Sequence, residues 1–433
     1  MVDRILSQAL KKAQSAEVIY EEGESQGAEF ENNVLKYVNN KNFRGVGVRV
    51  ICDGRIGFSS TTDMEAIDRT VTSALESAKF GEKAQFEFPG RAAFPDVKVF
   101  DPAVSDYTID EAVRAGKEAI AHVLDAYPDV KCSAEIDKAT STVRLANSNG
   151  LDVSCECSEI GGYIEAFRLM GESFLSAGDG NSYRNLRLEM NKHADRTVEL
   201  VRQAEKEVTV APGPYTVIFS PRAARALLGG FIEGINGKMV QKGVSPLTGK
   251  LNEKVLGEAF TMIDDSTIDY AEGSEPCDGE GIPSRRTPLF EKGVLKNYLL
   301  DLQTAGLLGM EPTGNASRSY ASQPRPGTSN LIIGEGGMPY DDMLSRGGKT
   351  ILIERLLGAG QSNTLAGEFS GNIYLGFLVE KGEIIGRVKN CMVAGNAYES
   401  FNSIGAISQE TEWRGALCIP AFLFENMTIA SRE

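Results

Sequence analysis

The proline–glycine break at Ala211-Pro-Gly-Pro214 divides this chain into two stretches with different local grammar. Proline cannot donate a backbone hydrogen bond and glycine imposes no conformation, so such a run ends any regular element. Ahead of the break, helical and extended patterns alternate; beyond it, glycine is frequent and turn signals recur. A chain of 433 residues is expected to form two or three domains. The break sets them at 1–211 and 212–433, with a subdomain edge expected near 88–106, where Pro89, Pro95 and Pro102 punctuate a stretch without sustained period.

In the first stretch, Val2, Ile5, Leu6, Ala9, Leu10 and Ala13 recur at the spacing of one helical face. Ala16 to Glu22 reads as a strand. Gly45 to Cys52 runs through Asp53-Gly54 into Arg55 to Phe58, a hairpin around a two-residue turn. Thr62 with Glu65, and Thr108 with Glu111, have the spacing of capping boxes, each ahead of an amphipathic helix. Strands flank the turn Asn147-Ser-Asn-Gly150, and a further helix is expected over Ala194 to Glu205.

Beyond the break, Tyr215 to Phe219 reads as a strand, Ser220 as a helix N-cap, and Pro221 as the first helical residue, where a missing N–H costs nothing. Phe290-Glu-Lys-Gly293 and Val379-Glu-Lys-Gly382 predict two hairpins of one turn type. A short helix over Tyr340 to Arg346 is opened by Pro339 and stopped by Gly347-Gly348. Antiparallel strands with a few short helices follow from this pattern.

Composition excludes several kinds of chemistry. The formal net charge of −15 argues against binding a phosphate backbone, which needs clustered cations. Only two histidines occur, His122 and His193, so a three-histidine metal site is ruled out. Both read as helical residues, solvated or half-buried. No apolar run of membrane-spanning length occurs, the start of the chain lacks the apolar core of a signal peptide, and seven scattered cysteines suit reduced thiols. A cytoplasmic location is expected.

Motifs narrow the field further. Arg346-Gly-Gly-Lys-Thr350 ends like a phosphate-binding loop, but Met343 stands where the first glycine is needed and a helix precedes it. There is no Gly-x-Ser-x-Gly elbow. Cys155 and Cys157 would share one face of a strand, able to meet a partner or a metal, or simply to be buried together. The acidic run of Asp264, Asp265, Asp269, Glu272, Glu275, Asp278 and Glu280 departs from the calcium-hand pattern and reads as a solvated loop. One oddity stands out. Gly229, Gly230 and Gly234 all fall in the helix after Ser220, although an interior glycine costs about 1 kcal/mol relative to alanine.

Gly45-Val-Gly-Val-Arg-Val-Ile with Asp53-Gly-Arg-Ile-Gly-Phe58 resembles the N-terminal signature of the TldD/TldE (PmbA) family, also called modulators of DNA gyrase. Asp278-Gly-Glu-Gly-Ile-Pro283, Pro312-Thr-Gly-Asn-Ala-Ser-Arg318, Ser329-Asn-Leu, Gly367-Glu-Phe-Ser370 and Val393-Ala-Gly-Asn396 resemble its later blocks, in family order. The resemblance implies an α+β fold: an N-terminal α/β sandwich, then a β-rich C-terminal domain with an antiparallel, barrel-like sheet. It also implies a cytoplasmic two-subunit peptidase acting on unfolded or flexible polypeptides. TldD-type members carry His-Glu-x-x-x-His on the helix after the first C-terminal strand, plus a late cysteine, and hold zinc there. On that pattern Gly229, Gly230 and Gly234 occupy the His, Glu and His positions, Ala406 to Glu412 contains no cysteine, and Cys418 falls too late.

The resemblance therefore implies a TldE/PmbA-type subunit with no catalytic residue, metal or cofactor of its own, zinc being expected in a TldD-type partner. Self-pairing as a homodimer stays open without that partner; no membrane contact is expected, and the charge gives DNA binding no support. A reading of a different class stays open: a stand-alone, self-associating peptide-binding protein, or a hydrolase using Cys155 and Cys157 or the carboxylates near Asp278 and Glu280.

Overall fold

The computed structural model describes residues 1–171 and 173–431. It is a mixed α+β structure with a half-barrel sheet and a closed β-barrel. The first part runs α1 (Val2–Ala9), β1 (Ser15–Glu31), β2 (Val34–Cys52), β3 (Arg55–Thr61), α2 (Ile67–Ala78), α3 (Pro102–Asp106), α4 (Ile109–Ala126), β4 (Lys131–Asn147), β5 (Asp152–Met170), β6 (Ser173–Tyr183) and α5 (Met190–Gln203). Its six strands form one antiparallel sheet in the order β3-β2-β1-β4-β5-β6. One face of this sheet is apolar and covered. Val18, Val46 and Val48 pack under α1 and α2, and Phe30, Ile136 and Ile164 pack under α4 and α5.

The chain continues through β7 (Glu207–Val208), β8 (Gly213–Phe219), α6 (Pro221–Gly234), α7 (Gly237–Gln241), β9 (Met262–Asp265), β10 (Arg286–Glu291), β11 (Val294–Leu295), α8 (Leu302–Leu308), β12 (Ala316–Ser317), β13 (Arg325–Pro326) and β14 (Leu331–Ile333). It ends with α9 (Tyr340–Ser345), β15 (Thr350–Leu357), β16 (Glu368–Glu380), β17 (Glu383–Val388), β18 (Cys391–Asn396), α10 (Ala397–Asn402), β19 (Ala406–Arg414) and β20 (Leu417–Ser431). Strands β20, β8, β15, β16 and β18 pair in a ring, β18 returning to β20, which closes the barrel and leaves those strands no free edge. The ring is antiparallel except between β8 and β15. Helix α6 packs on it through Leu227, Leu228 and Phe231. Phe401 lies 5.0 Å edge-on from Phe231 and 4.9 Å from Phe422. No described helix is long and apolar enough to cross a membrane.

Local signals held where the backbone demanded them. Asp53-Gly54, Lys292-Gly293 and Lys381-Gly382 each take positive φ at both positions, the mirror-image turn whose twist matches a hairpin. Thr108 and Glu111 make the reciprocal capping box of α4, and Ser220 caps α6 with Pro221 at its first position. The expected box at Thr62 is not formed. Asp63 instead accepts the N–H of Glu65 at 2.9 Å in a tight turn, and α2 starts only at Ile67. Helix α5 begins at Met190 rather than Ala194, and places His193 in the core instead of leaving it solvated.

Candidate functional site

The second face of the half-barrel sheet is polar and looks across a cleft toward α6. Register fixes three rungs on it. Lys41, Ser25, Ala139 and Glu159 form one; Asn39, Gly27, Asp137, Gly161 and Ser182 the next; Tyr37, Glu29, Glu135, Tyr163 and Gly180 the third. Strand alternation puts all of them on the same side. Most of them line a cavity of about 770 Å³, whose far wall is Pro221, Arg222 and Arg225 at the start of α6, with Glu272, Arg414 and Gly415. At Gly27 a side chain would collide with the carboxylate of Asp137, so the glycine makes room for that acid.

Charges of both signs crowd this space. Burial, with Glu135 alongside, lifts Asp137 to about 7, and burial beside Glu272 raises Glu159. The Arg222 guanidinium spans the cleft, donating to the Gly178 carbonyl and, at 3.4 Å, to the Tyr163 hydroxyl. The turn between β19 and β20 clamps the sheet edge: Gly415 N donates to Asn181 at 2.8 Å, and Arg414 meets Asp179 at 2.5 Å. Such walls offer donors and acceptors along an extended polar chain. Neither histidine lines them. His193 lies under the covered face, its Nδ1 2.6 Å from Asp179, and half-exposed His122 meets Asp195 on the outer surface.

The three glycines of α6 sit in unlike surroundings. Gly229 faces open space. A Cβ at Gly230 would stand 2.6 Å from the Thr364 carbonyl, and one at Gly234 would run into the Tyr398 hydroxyl and Leu247. Tyr398 donates to the Gly230 carbonyl at 2.8 Å. Glycines offer a zinc ion no ligand, and neighbours fill the space that a histidine at 234 and a glutamate at 230 would need, so the residues present do not fit the metal. Among the described residues no group of three or more His, Cys, Asp or Glu could hold a metal ion. Segments 367–370 and 393–396 pair across β16 and β18, with Gly367 against Gly230.

The acidic run is not the solvated loop its composition suggested. Asp264, Asp278 and Glu280 are all buried. Asp278 accepts the backbone N–H groups of Glu280, Ile282 and Ala316 within 3.0 Å, and Asp264 accepts from Ser329 and Asn315. Buried carboxylates satisfied by converging donors organise loops rather than bind solvent. Glu280 meets Arg49 at 2.6 Å; Arg49 also meets Glu17 at 3.0 Å; Arg318 meets Glu17 at 2.6 Å. The Arg49 guanidinium lies against the edge-to-face pair of Phe86 and Phe88, 5.0 Å from each ring. The sequence blocks around positions 49, 278, 315 and 329 thus meet in one buried network joining the two sheets. Cys155 and Cys157 do share a strand face, with sulfurs 3.7 Å apart.

Comparison with known proteins follows the same lines. The model of the PmbA/TldA metallopeptidase C-terminal domain matches residues 212–431, and that of PmbA/TldA metallopeptidase domain 1 matches residues 16–78. An uncharacterised protein of Methanocaldococcus jannaschii is 30% identical over 89% of both chains. The chain belongs to the PmbA/TldD family of metallopeptidases. Within it, the metalloprotease PmbA of Escherichia coli O157:H7 is 24% identical, over 89% of this chain and 86% of that one. The crystal structure of TldE from Thermococcus kodakarensis superposes with a TM-score of 0.91 at 23% identity, covering 99% of each chain, and so shares the fold.

The cavity residues themselves escaped the sequence reading. Glu135-x-Asp137 and Glu159-x-Gly161-x-Tyr163 alternate as a polar strand face should, but only the sheet register brings them opposite one another and opposite Arg222.

Proposed function

We propose that this chain is the TldE/PmbA-type, non-catalytic subunit of a TldD/TldE metallopeptidase that cleaves unfolded or flexible peptides. The observation that carries the reading is the surface of α6: the helix that bears the zinc motif in TldD-type members has glycine at all three positions, Leu247 and Tyr398 occupy the room the second histidine would need, and Thr364 that of the glutamate. The likeness to the TldE fold supports it. In this reading the polar cleft between the half-barrel and the start of α6 contributes wall to a peptide chamber, and the partner subunit supplies zinc and the base for its water. Lys41, Arg222 and Arg225 then hold backbone carbonyls of an extended substrate, while Glu135 and Glu159 take its N–H groups.

The test compares this chain, its genome's His-Glu-x-x-x-His homologue and the two mixed, on an unstructured peptide. Cleavage by the mixture alone, abolished by a chelator, is the expected result. Cleavage by this chain alone, or a homologue indifferent to its addition, overturns the assignment.

A further inference from the structure

Cys155 and Cys157 have no part in that reading, and their geometry is specific. They stand at i and i+2 on β5 with sulfurs 3.7 Å apart, on the face that continues through Glu159, Gly161 and Tyr163 into the cavity. Both are half-buried, so small reagents have access, whereas Cys132 and Cys391 are buried. Cys155 is opposite Val143 and Cys157 opposite Ser141, which leaves no bulky cross-strand neighbour over the second sulfur. The guanidinium of Arg184 is held near the pair by its bond to the Glu272 carbonyl at 2.8 Å.

We propose that Cys155 and Cys157 are a reversible thiol–disulfide site that reacts with low-molecular-weight disulfides of the glutathione type. The Cys157 thiolate attacks one sulfur of the reagent, whose S–S bond breaks and releases one thiolate. Cys155 gives its proton to that thiolate and attacks the sulfur of Cys157, displacing the second. The second thiolate takes up the proton that Cys157 had given to solvent, so the balance is two protein thiols and one disulfide in, one protein disulfide and two small thiols out.

The order of attack follows from the pair itself. The hydrogen bond from Cys155, against burial and with Arg184 beside it, holds the Cys157 thiol down at about 7, while the same bond pushes Cys155 up. Cys277 and Glu275, on the loop facing the strand, together with Glu21, are the other titratable groups near the pair. The strand sets the strength of the bond. Two residues of extended chain span about 6.6 Å between Cα atoms, the upper end of what a disulfide bridges, so closure shortens β5 and leaves a strained, readily reduced bond. The shortening falls two residues from Glu159, so oxidation reaches the cavity wall.

Trypsin releases Leu145 to Arg168 as a fragment holding both thiols and no other cysteine. The intact protein is incubated with oxidised glutathione, alkylated and digested. This fragment should lose two hydrogens and take no alkyl group, and regain two after reduction with glutathione. Cys155→Ser should trap glutathione on Cys157, roughly tenfold faster than Cys157→Ser traps it on Cys155. A fragment that emerges doubly alkylated, or serine variants that take up glutathione at equal rates, overturns the proposal.

Discussion

Gly229 and Gly230 are adjacent on α6, yet the helix presents one to open space and the other to the backbone of Thr364 and Gly367. Their substitutions should therefore differ in sign. Gly229→Ala gains up to about 1 kcal/mol, because alanine restricts the unfolded chain and meets nothing within 4 Å in the folded one. Gly230→Ala loses about 1–3 kcal/mol, since its methyl must displace a carbonyl held in the short 3-10 helix Thr364–Ala366. Urea denaturation of the two variants decides it; equal effects would mean that the contact at Gly230 relaxes freely. The oddity of three glycines was legible in the sequence, but not which of them is confined, because the atoms in closest approach, on Thr364 and Tyr398, lie more than a hundred residues away. His193 differs: its partner Asp179 is only 14 residues away, but the two meet only because α5 packs back onto β6, which helical periodicity does not reveal.

Among elements, caps and turns were readable to the extent that their bonds are local. Thr108→Ala should cost about 0.5–2 kcal/mol, because it removes a reciprocal cap from the 18-residue α4, whereas Thr62→Ala should stay within about 0.5 kcal/mol, because Thr62 caps nothing. Thermal unfolding of both separates a cap that forms from one that only has the spacing. The strands were harder. β1 and β2 run to 17 and 19 residues, but the sequence pattern marks only Ala16 to Glu22 and Gly45 to Cys52 as extended. In between, residues 34–44 of β2 are exposed apart from one half-buried position, and β3 pairs only with positions 46–52, so no apolar alternation marks this part as extended. Hydrogen bonding to β1 holds it in the sheet, and that pairing leaves no trace in a single sequence. Ring closure of the barrel through β18 and β20 was equally invisible: it depends on register between segments 40 residues apart in the chain.

For the molecule as a whole, acid and base should both weaken the fold. Burial lifts Asp264 and Asp278 to about 6 and, against the pull of Arg49, Glu280 to about 7. Raised above the value near 4 of an unfolded chain, these carboxyls stabilise most below about pH 4, and that contribution is lost as pH climbs through 6 and 7. Asp179 and Glu207 act the other way. Against the cost of burial, His193 and Arg414 hold Asp179 at about 2, and Ser173, Lys389 and Arg387 hold Glu207 at about 2, so their contribution is present above about pH 4 and lost below it. The urea midpoint should peak near about pH 5 and fall on both sides; a steady rise from pH 5 to 8 would count against the buried carboxyls. The resemblance implied an N-terminal α/β sandwich followed by a barrel-like sheet, but its blocks gave no hint that they converge on a single network of Glu17, Arg49, Glu280 and Arg318. That network also dictates a timetable. Glu17 meets Arg49 within its own sheet, but it leaves the ribosome 301 residues ahead of Arg318, and at about 5–20 residues per second it waits roughly 15–60 s for that second counter-ion. Until then a sheet that already has most of its hydrogen bonds carries an ion pair without its outer partners, Glu280 and Arg318, on a surface destined to be dry. The amino-terminal half can be made first, but it cannot be finished first.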